Sequence, residues 1–282
     1  MVLEKLLFLK NLNRQDIKIM NIKLYLWNNW HNGDIITTIP LIWEIHKQIE
    51  NVTISVGCFN NHSYLFEGCP IKELFFINNN DGDGPNERYN FSFMCPKDYY
   101  DIYTWLGQYH DTRAHNWENQ VEVFNRKCYE KNIPIKLHNH GVPDITFPKR
   151  KINFPNYPKS VWVENGICRS GHNEFFYNMD KIGKLFPDMH FYTTAPSQCN
   201  NSNVTDCSRL NLIELSNLSN ECDIILGKGS GPYFTTFTNE NRGKPRAVVG
   251  YNLRTSLPFW NNPNSIIKYL SDEADLINFL KQ

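Results

Sequence analysis

The first clear pattern along the chain is Ile22-Lys23-Leu24-Tyr25-Leu26-Trp27, an alternation that predicts a strand. A polar stretch from Asn28 to Asp34 follows. Beyond it Ile35, Ile39, Ile42 and Ile49 recur at helical spacing, with Trp43 and His46 beside them. Pro40 lacks an N–H and is expected in the first turn of that helix, where no partner is lost. Val52-Thr53-Ile54-Ser55-Val56-Gly57 predicts the next strand, so the segment reads as strand–loop–helix–strand, the seed of a parallel sheet. A strand is also expected at Glu73–Ile77 and a short helix in the leader before residue 21. The region from 85 to 140 is aromatic and irregular, with one helix through Trp117–Cys128.

Pro143, Pro148, Pro155 and Pro158 then fall within twenty residues, which makes 141–160 a semi-rigid segment and an expected interdomain linker. After it the alternation of elements restarts. Ser160–Glu164 predicts a strand and Asn165–Asn173 a loop. Phe175, Met179, Ile182 and Phe186 mark one face of a helix, and Met189–Thr194 a strand. Leu212–Leu218 reads as a short helix and Cys222–Leu226 as an apolar strand, followed by the glycine-rich run Gly227–Tyr233. Ala247–Gly250 reads as a strand and Asp272–Leu280 as a closing helix. The expectation is an α/β protein of two halves, residues 1–145 and 146–282.

Composition sharpens this. The 282 residues are 41% hydrophobic and 21% charged, enough apolar surface for buried cores. Lysine plus arginine (29) equal aspartate plus glutamate (29), so the chain lacks the positive surplus that holds a protein to nucleic acid. No apolar run approaches the ~20 residues of a membrane span. The apolar stretch Leu6–Leu9 is stopped by Lys10, shorter than a secretory signal requires. Eight scattered cysteines without a CxxC pair point to reduced thiols in the cytoplasm.

Three loops follow strands and so belong at the strand ends where open α/β sheets bind ligands. Gly33-Asp34 offers close backbone approach and a carboxylate able to accept a proton from a hydroxyl; Asp34 is equally suited to capping the helix. Gly227-Lys228-Gly229-Ser230-Gly231-Pro232-Tyr233 offers backbone N–H groups, an ammonium and a hydroxyl to an anion, or forms a tight turn with no ligand. It lacks Walker spacing. Asn165-Gly166 through Arg169 and Ser170 offers a guanidinium fork suited to diphosphate oxygens. Asp81-Gly82-Asp83 imitates a metal-holding DxD but also fits a solvated turn. The histidines at 110, 115, 138 and 140 lack the partners of a metal site, so no metal is expected.

In order and separation these features resemble the GT-B glycosyltransferases, in particular the heptosyltransferase-like glycosyltransferase family 9. The matching residues are Gly33-Asp34-Ile35-Ile36-Thr37-Thr38-Ile39-Pro40, then Asp223–Gly227 with Gly229–Pro232, then Gly243-Lys244-Pro245 before Ala247–Gly250. Pro232-Tyr233 stands where that family commonly has a histidine. The resemblance implies two Rossmann-like domains facing across a cleft, an acceptor-side half and a half that binds a nucleotide sugar. It implies an inverting, metal-independent transfer to a hydroxyl of a glycan or glycoconjugate, with Asp34 as general base. The donor's diphosphate would be met by Asn165, Gly166, Arg169, Ser170, Lys228, Gly229, Ser230, Gly231, Pro232 and Tyr233, and UDP, GDP and ADP stay open. His31, Gly33, Tyr100, Trp105, His110 and Arg113 are the expected acceptor wall, because rings stack on sugar faces. A sugar-nucleotide epimerase or hydrolase, and a catalytically silent nucleotide-sugar-binding module, share the scaffold.

Overall fold

The computed structural model describes residues 21–78, 90–105, 117–139, 144–155, 157–168, 173–250 and 267–282. The chain divides into two compact units, Met1–Pro143 and Asp144–Gln282.

The first unit carries β1 (Ile22–Trp27), α1 (Asn32–Gln48), β2 (Val52–Phe59), a 3-10 turn (Asn60–Phe66), β3 (Glu73–Ile77), β4 (Tyr100–Tyr103) and α2 (Trp117–Glu130). Its sheet is parallel in the order β3-β2-β1-β4. The helix after β1 starts earlier than the polar pattern suggested, at Asn32, so Pro40 lies inside α1 rather than in its first turn. It leaves the fourth residue before it, Ile36, without an intrahelical donor. α1 tolerates this because Ile35, Ile36, Ile39, Leu41, Ile42 and Ile45 are all buried, and packing outweighs one lost bond. β4 is the element the sequence hid. Its Asp101 reads as loop, yet the carboxylate is taken by the Trp27 indole N–H (2.6 Å) and the Ser92 hydroxyl (2.8 Å).

The second unit carries β5 (Ser160–Val163), α3 (Met179–Leu185), β6 (His190–Thr193), β7 (Val204–Asp206), α4 (Leu212–Glu221), β8 (Ile224–Gly227), the single turn α5 (Gly231–Phe234), β9 (Arg246–Val249), β10 (Ile267–Leu270) and α6 (Glu273–Leu280). The sheet is parallel, ordered β10-β9-β8-β5-β6-β7. β5, β6, β8 and β9 are buried along their whole length, which is why they are mostly apolar rather than alternating. Val161, Val163, Leu226 and Val249 pack with Met179, Ile182, Leu276 and Phe279. Trp162, on the other face of β5, donates its indole N–H to Leu215 O of α4 (3.1 Å).

α3 is shorter than the apolar spacing predicted. The Asn173 side chain accepts the Phe175 N–H, and the Asn178 side chain caps the helix at the Lys181 N–H. Phe175 still packs on the core, so the apolar period marks burial rather than helix. α4 opens with a capping box between Asn211 and Glu214.

Of the expected interdomain linker, 141–160, the structure describes 144–155 and 157–160. They run along the second unit. Asp144 accepts from Arg242 Nε and Nη2 (2.9 and 2.6 Å), Ile145 N–H donates to Phe237 O, and Asn217 grips Pro148 O and the Arg150 N–H. This strap borders a cavity of about 520 Å³ with Tyr157, Ser160 and Tyr192, at the amino ends of β5 and β6. No helix among the described residues is long and apolar enough to cross a membrane.

Candidate active site

In each sheet the strand order reverses once. In the first unit the chain builds outward from β1 through β2 to β3, then returns to place β4 on the free side of β1. In the second it builds outward from β5 through β6 to β7, then places β8 beside β5. The crevice beyond the carboxyl ends of such a strand pair is where open α/β sheets bind ligands. The residues at those two places are therefore the ones to weigh.

At the β1/β4 end, Trp27 and Tyr103 are register partners with rings stacked at 4.1 Å and 22°. The next pair of rings, Trp30 and Trp105, stacks at 4.0 Å and 9°. The Trp30 indole donates to the Tyr103 hydroxyl (2.6 Å), which donates to Asn29 Oδ1 (2.7 Å). Asp34 stands beside this ladder in the first turn of α1. His31 holds the N-cap position and makes no side-chain cap bond, so the capping role considered for Asp34 falls to neither side chain. The Asp34 backbone is held tightly: its carbonyl accepts from Thr37 Oγ1 (2.7 Å), Thr38 Oγ1 (3.4 Å) and Asn28 Nδ2 (3.3 Å). Asp34 keeps partial contact with solvent, yet its carboxyl sits in protein-dense surroundings. Burial pushes it up to about 7, against the opposing pull of its own N–H and of the Trp105 indole.

A carboxyl that titrates near neutrality, with its backbone fixed and aromatic faces beside it, is suited to taking a proton from a hydroxyl. Because the Trp105 N–H favours the ionised form, Trp105→Phe is expected to raise the Asp34 pKa further. NMR titration of the carboxyl carbon checks this, and an unchanged or lower value contradicts the contact.

The expected acceptor wall is brought together only in part. His31, Gly33 and Trp105 lie at this end and are partly exposed. Tyr100 does not belong there. It pairs with Leu24, three residues before the end of β4, which at ~3.3 Å per residue puts it ~10 Å back along the strand. Tyr103 is the tyrosine that reaches the end. His110 and Arg113 lie outside the described residues, as do His115, His140 and Asp81-Gly82-Asp83. Trp30 and Tyr103, which the sequence reading passed over, carried one signal: four rings cluster around two strand ends.

At the β5/β8 end the structure brings the Asn165-Gly166 loop against the glycine-rich loop. The Lys228 ammonium donates to Gly166 O (3.0 Å). Gly229 has φ +77°, a left-handed conformation that glycine adopts without strain. Pro232 sits in the first turn of α5, a helix of only four residues whose dipole is correspondingly slight. Arg169 and Ser170 lie outside the described residues.

Three of the expected donor ligands have other work. The Asn165 amide is closed on Ala195, donating to its carbonyl (2.9 Å) and accepting its N–H (2.8 Å), which ties the loop after β6 in place. The Tyr233 ring is core, buried under Gly227 against Phe237. The Ser230 hydroxyl donates to Glu164 Oε1, and the Lys228 N–H to Glu164 Oε2 (2.6 Å).

Glu164 is the residue the sequence did not single out. It follows β5 directly, is 1% exposed, and burial raises its pKa against the bonds from Ser230 and Lys228. Asn173 was likewise unforeseen. Its buried amide joins Lys228 O (3.0 Å) to Val249 O (2.7 Å), fastening the loop to the end of β9. Among the described residues no three His, Cys, Asp or Glu side chains are grouped to hold a metal ion.

No protein-family model matches the chain, and no curated protein does. Solved structures do. The glycosyl transferase family 9 structure from Veillonella parvula DSM 2008 matches at a TM-score of 0.61 and 13% identity, covering 94% of this chain and 90% of that one. The E. coli heptosyltransferase WaaC with ADP-2-deoxy-2-fluoro heptose matches at 0.59 and 9% identity, covering 93% and 98%. The E. coli ADP-heptose LPS heptosyltransferase II matches at 0.56 and 13%, covering 92% and 98%. The likeness is one of fold: the chain has the two-unit, parallel-sheet GT-B fold of those glycosyltransferase structures.

Proposed function

We propose that the protein is a glycosyltransferase, moving a sugar from a nucleoside-diphosphate sugar to a hydroxyl of a glycan or glycoconjugate with inversion. The observation that carries this reading is Asp34: a carboxyl lifted to about 7, fixed at a strand-order reversal and flanked by stacked tryptophans, on a fold shared with glycosyltransferase structures. Asp34 takes the acceptor hydroxyl's proton as the oxygen attacks the anomeric carbon. The bond from that carbon to phosphate breaks, and its electron pair leaves with the nucleoside diphosphate. Trp30 and Trp105 give the acceptor sugar an aromatic face, and the indole N–H keeps the Asp34 carboxylate oriented.

The second unit meets the leaving group's charge with the Lys228 ammonium and the backbone of Gly229 and Gly231, joined by Arg169. The transfer needs no metal, and turnover is expected to persist in EDTA. The eight free cysteines support placing the reaction in a reducing compartment such as the cytoplasm. The test of this reading is an assay of purified protein with UDP-, GDP- and ADP-sugars against a panel of sugar acceptors.

Lys228→Ala is expected to weaken nucleoside diphosphate binding by about 10- to 100-fold, the value of a charge-assisted hydrogen bond, and to leave acceptor KM unchanged. Calorimetry with each nucleotide reads the first effect. Unaltered nucleotide affinity removes Lys228 from the donor site.

A further inference from the structure

The buried acid that this reaction leaves unused is Glu164. A glycine-rich loop after a strand ordinarily turns its N–H groups toward a bound anion. Here the Lys228 N–H and the Ser230 hydroxyl are turned inward onto a carboxylate of the protein itself. We propose that Glu164 is a positioning residue that holds this loop from within, and that a nucleoside diphosphate binds there together with one proton, which Glu164 takes up.

The argument rests on the donor reading above and on the charges present. Glu164 is 1% exposed, so water does not screen it. Among the described residues, the groups that face it are Lys228 and Ser230 from the loop after β8, Tyr233 from α5, and Tyr177 from the segment before α3. The tyrosines are neutral at pH 7, because burial raises both hydroxyls. The Tyr177 hydroxyl donates to Gly227 O (3.0 Å). The one cation there among the described residues, the Lys228 ammonium, is bonded to Gly166 O and not to the carboxylate.

Among the described residues a single negative charge stands beside a single positive one, a balanced pair; Arg169, assigned to the donor site above, offsets only part of the charge that a diphosphate brings. A diphosphate arriving at the same loop adds at least two negative charges, and a like charge nearby disfavours an ionised carboxylate. Burial already pushes Glu164 the same way. A proton drawn from solvent onto Glu164 Oε1 relieves the repulsion and reverses the hydrogen bond to Ser230. The acid then donates to Ser230 Oγ, and the serine O–H is freed to turn to a phosphate oxygen. The Lys228 N–H keeps its bond to Oε2 throughout, so the loop holds its shape.

Glu164→Gln imitates the protonated acid: its carbonyl oxygen accepts from the Lys228 N–H and its amide donates to Ser230 Oγ. The experiment is calorimetric titration of UDP, GDP and ADP into wild type and Glu164→Gln, between pH 6 and 9, in buffers of different ionisation enthalpy. Ionisation of the nucleotide's own phosphate is common to both proteins and cancels in the difference. Wild type is expected to take up close to one proton more than the variant, and to lose affinity by up to about tenfold per pH unit toward the alkaline end. The variant's affinity lacks this alkaline loss and exceeds wild type by about tenfold or more at pH 8. Equal proton counts and affinities within twofold across the range overturn the proposal while leaving the donor reading intact. Absence of binding by either protein overturns the donor reading, and this inference with it. Should the variant fail to fold, difference infrared spectroscopy of wild type decides. A protonated-carboxyl band must appear on adding the nucleotide, and no new band contradicts the proposal.

Discussion

Asp34→Asn is expected to lower the transfer rate by about 10³-fold, within the usual contribution of a positioned general base, with donor affinity unchanged. The amide keeps the carboxyl's shape and its carbonyl still accepts from Trp105, so the loss reports basicity rather than folding. In wild type, kcat/KM should rise with pH through an acid limb near 7, because the ionised form is the active one. The same shift bears on stability. The folded-state pKa of about 7 lies above the ordinary 3.8, so the folded protein holds this proton more tightly than the unfolded chain does. Asp34 therefore destabilises the fold progressively as pH rises from about 4 to about 7. The asparagine variant should be the more stable protein at pH 8, by about 2 kcal/mol once partial solvent contact is allowed for, and should lose that advantage below pH 4. Chemical denaturation at the two pH values reads this. Equal activity, or a variant less stable than wild type at pH 8, would remove Asp34 from the centre of the site.

Gly227→Ala is expected to destabilise the second unit by about 3 kcal/mol or more, at the upper end of overpacking effects. A Cβ at this position would stand 2.1 Å from Tyr233 Cδ2 and 2.6 Å from two other ring atoms. The ring has nowhere to go. It meets Phe237 edge-on at 5.4 Å, and the Arg246 guanidinium lies 5.4 Å from its centroid and 4.3 Å from that of Phe237. Arg246 is 1% exposed and has no ion pair among the described residues; its support is the Thr236 hydroxyl (3.0 Å) and carbonyl (2.8 Å) and these two rings. Moving Tyr233 therefore disturbs a buried cation as well as the turn that carries Gly229 and Ser230. Nucleotide affinity should fall with stability. Adding Tyr233→Ala makes room, so the double variant should be more stable than the sum of the single losses by about 1 kcal/mol or more. A single variant within 0.5 kcal/mol of wild type would show that the ring yields freely.

What the sequence disclosed and what it withheld follow from how far each signal reaches along the chain. β1 was legible by its alternation, β2 by its β-branched residues, and β5 and β8 because strands buried along their length are mostly apolar. β4 was not, because its burial depends on Asp101 meeting the Trp27 indole 74 residues away. β7 has three residues, too short for a period to show. The start of α1 was misplaced because its first turn, Asn32-Gly33-Asp34, is polar and its apolar face begins only at Ile35. Among the site candidates, Asp34, Lys228 and Ser230 were legible because glycine-rich and Gly-Asp loops after strands carry a local mark, and Trp105 because it stands in an aromatic segment. Glu164 escaped because its meaning lies in Lys228 and Ser230, more than 60 residues distant. Tyr233 misled for the converse reason: it adjoins the loop in sequence, but the helical turn at Gly231–Phe234 swings its ring into the core.

The most direct test of the central claim is the anomeric configuration of the transferred sugar, read by NMR on the product of the donor and acceptor pair the protein uses. A sugar released from its nucleotide only when an acceptor hydroxyl is present, and joined to it with inverted configuration, is the result this account predicts. Retained configuration, or conversion of the nucleotide sugar with no acceptor in the tube, would contradict it.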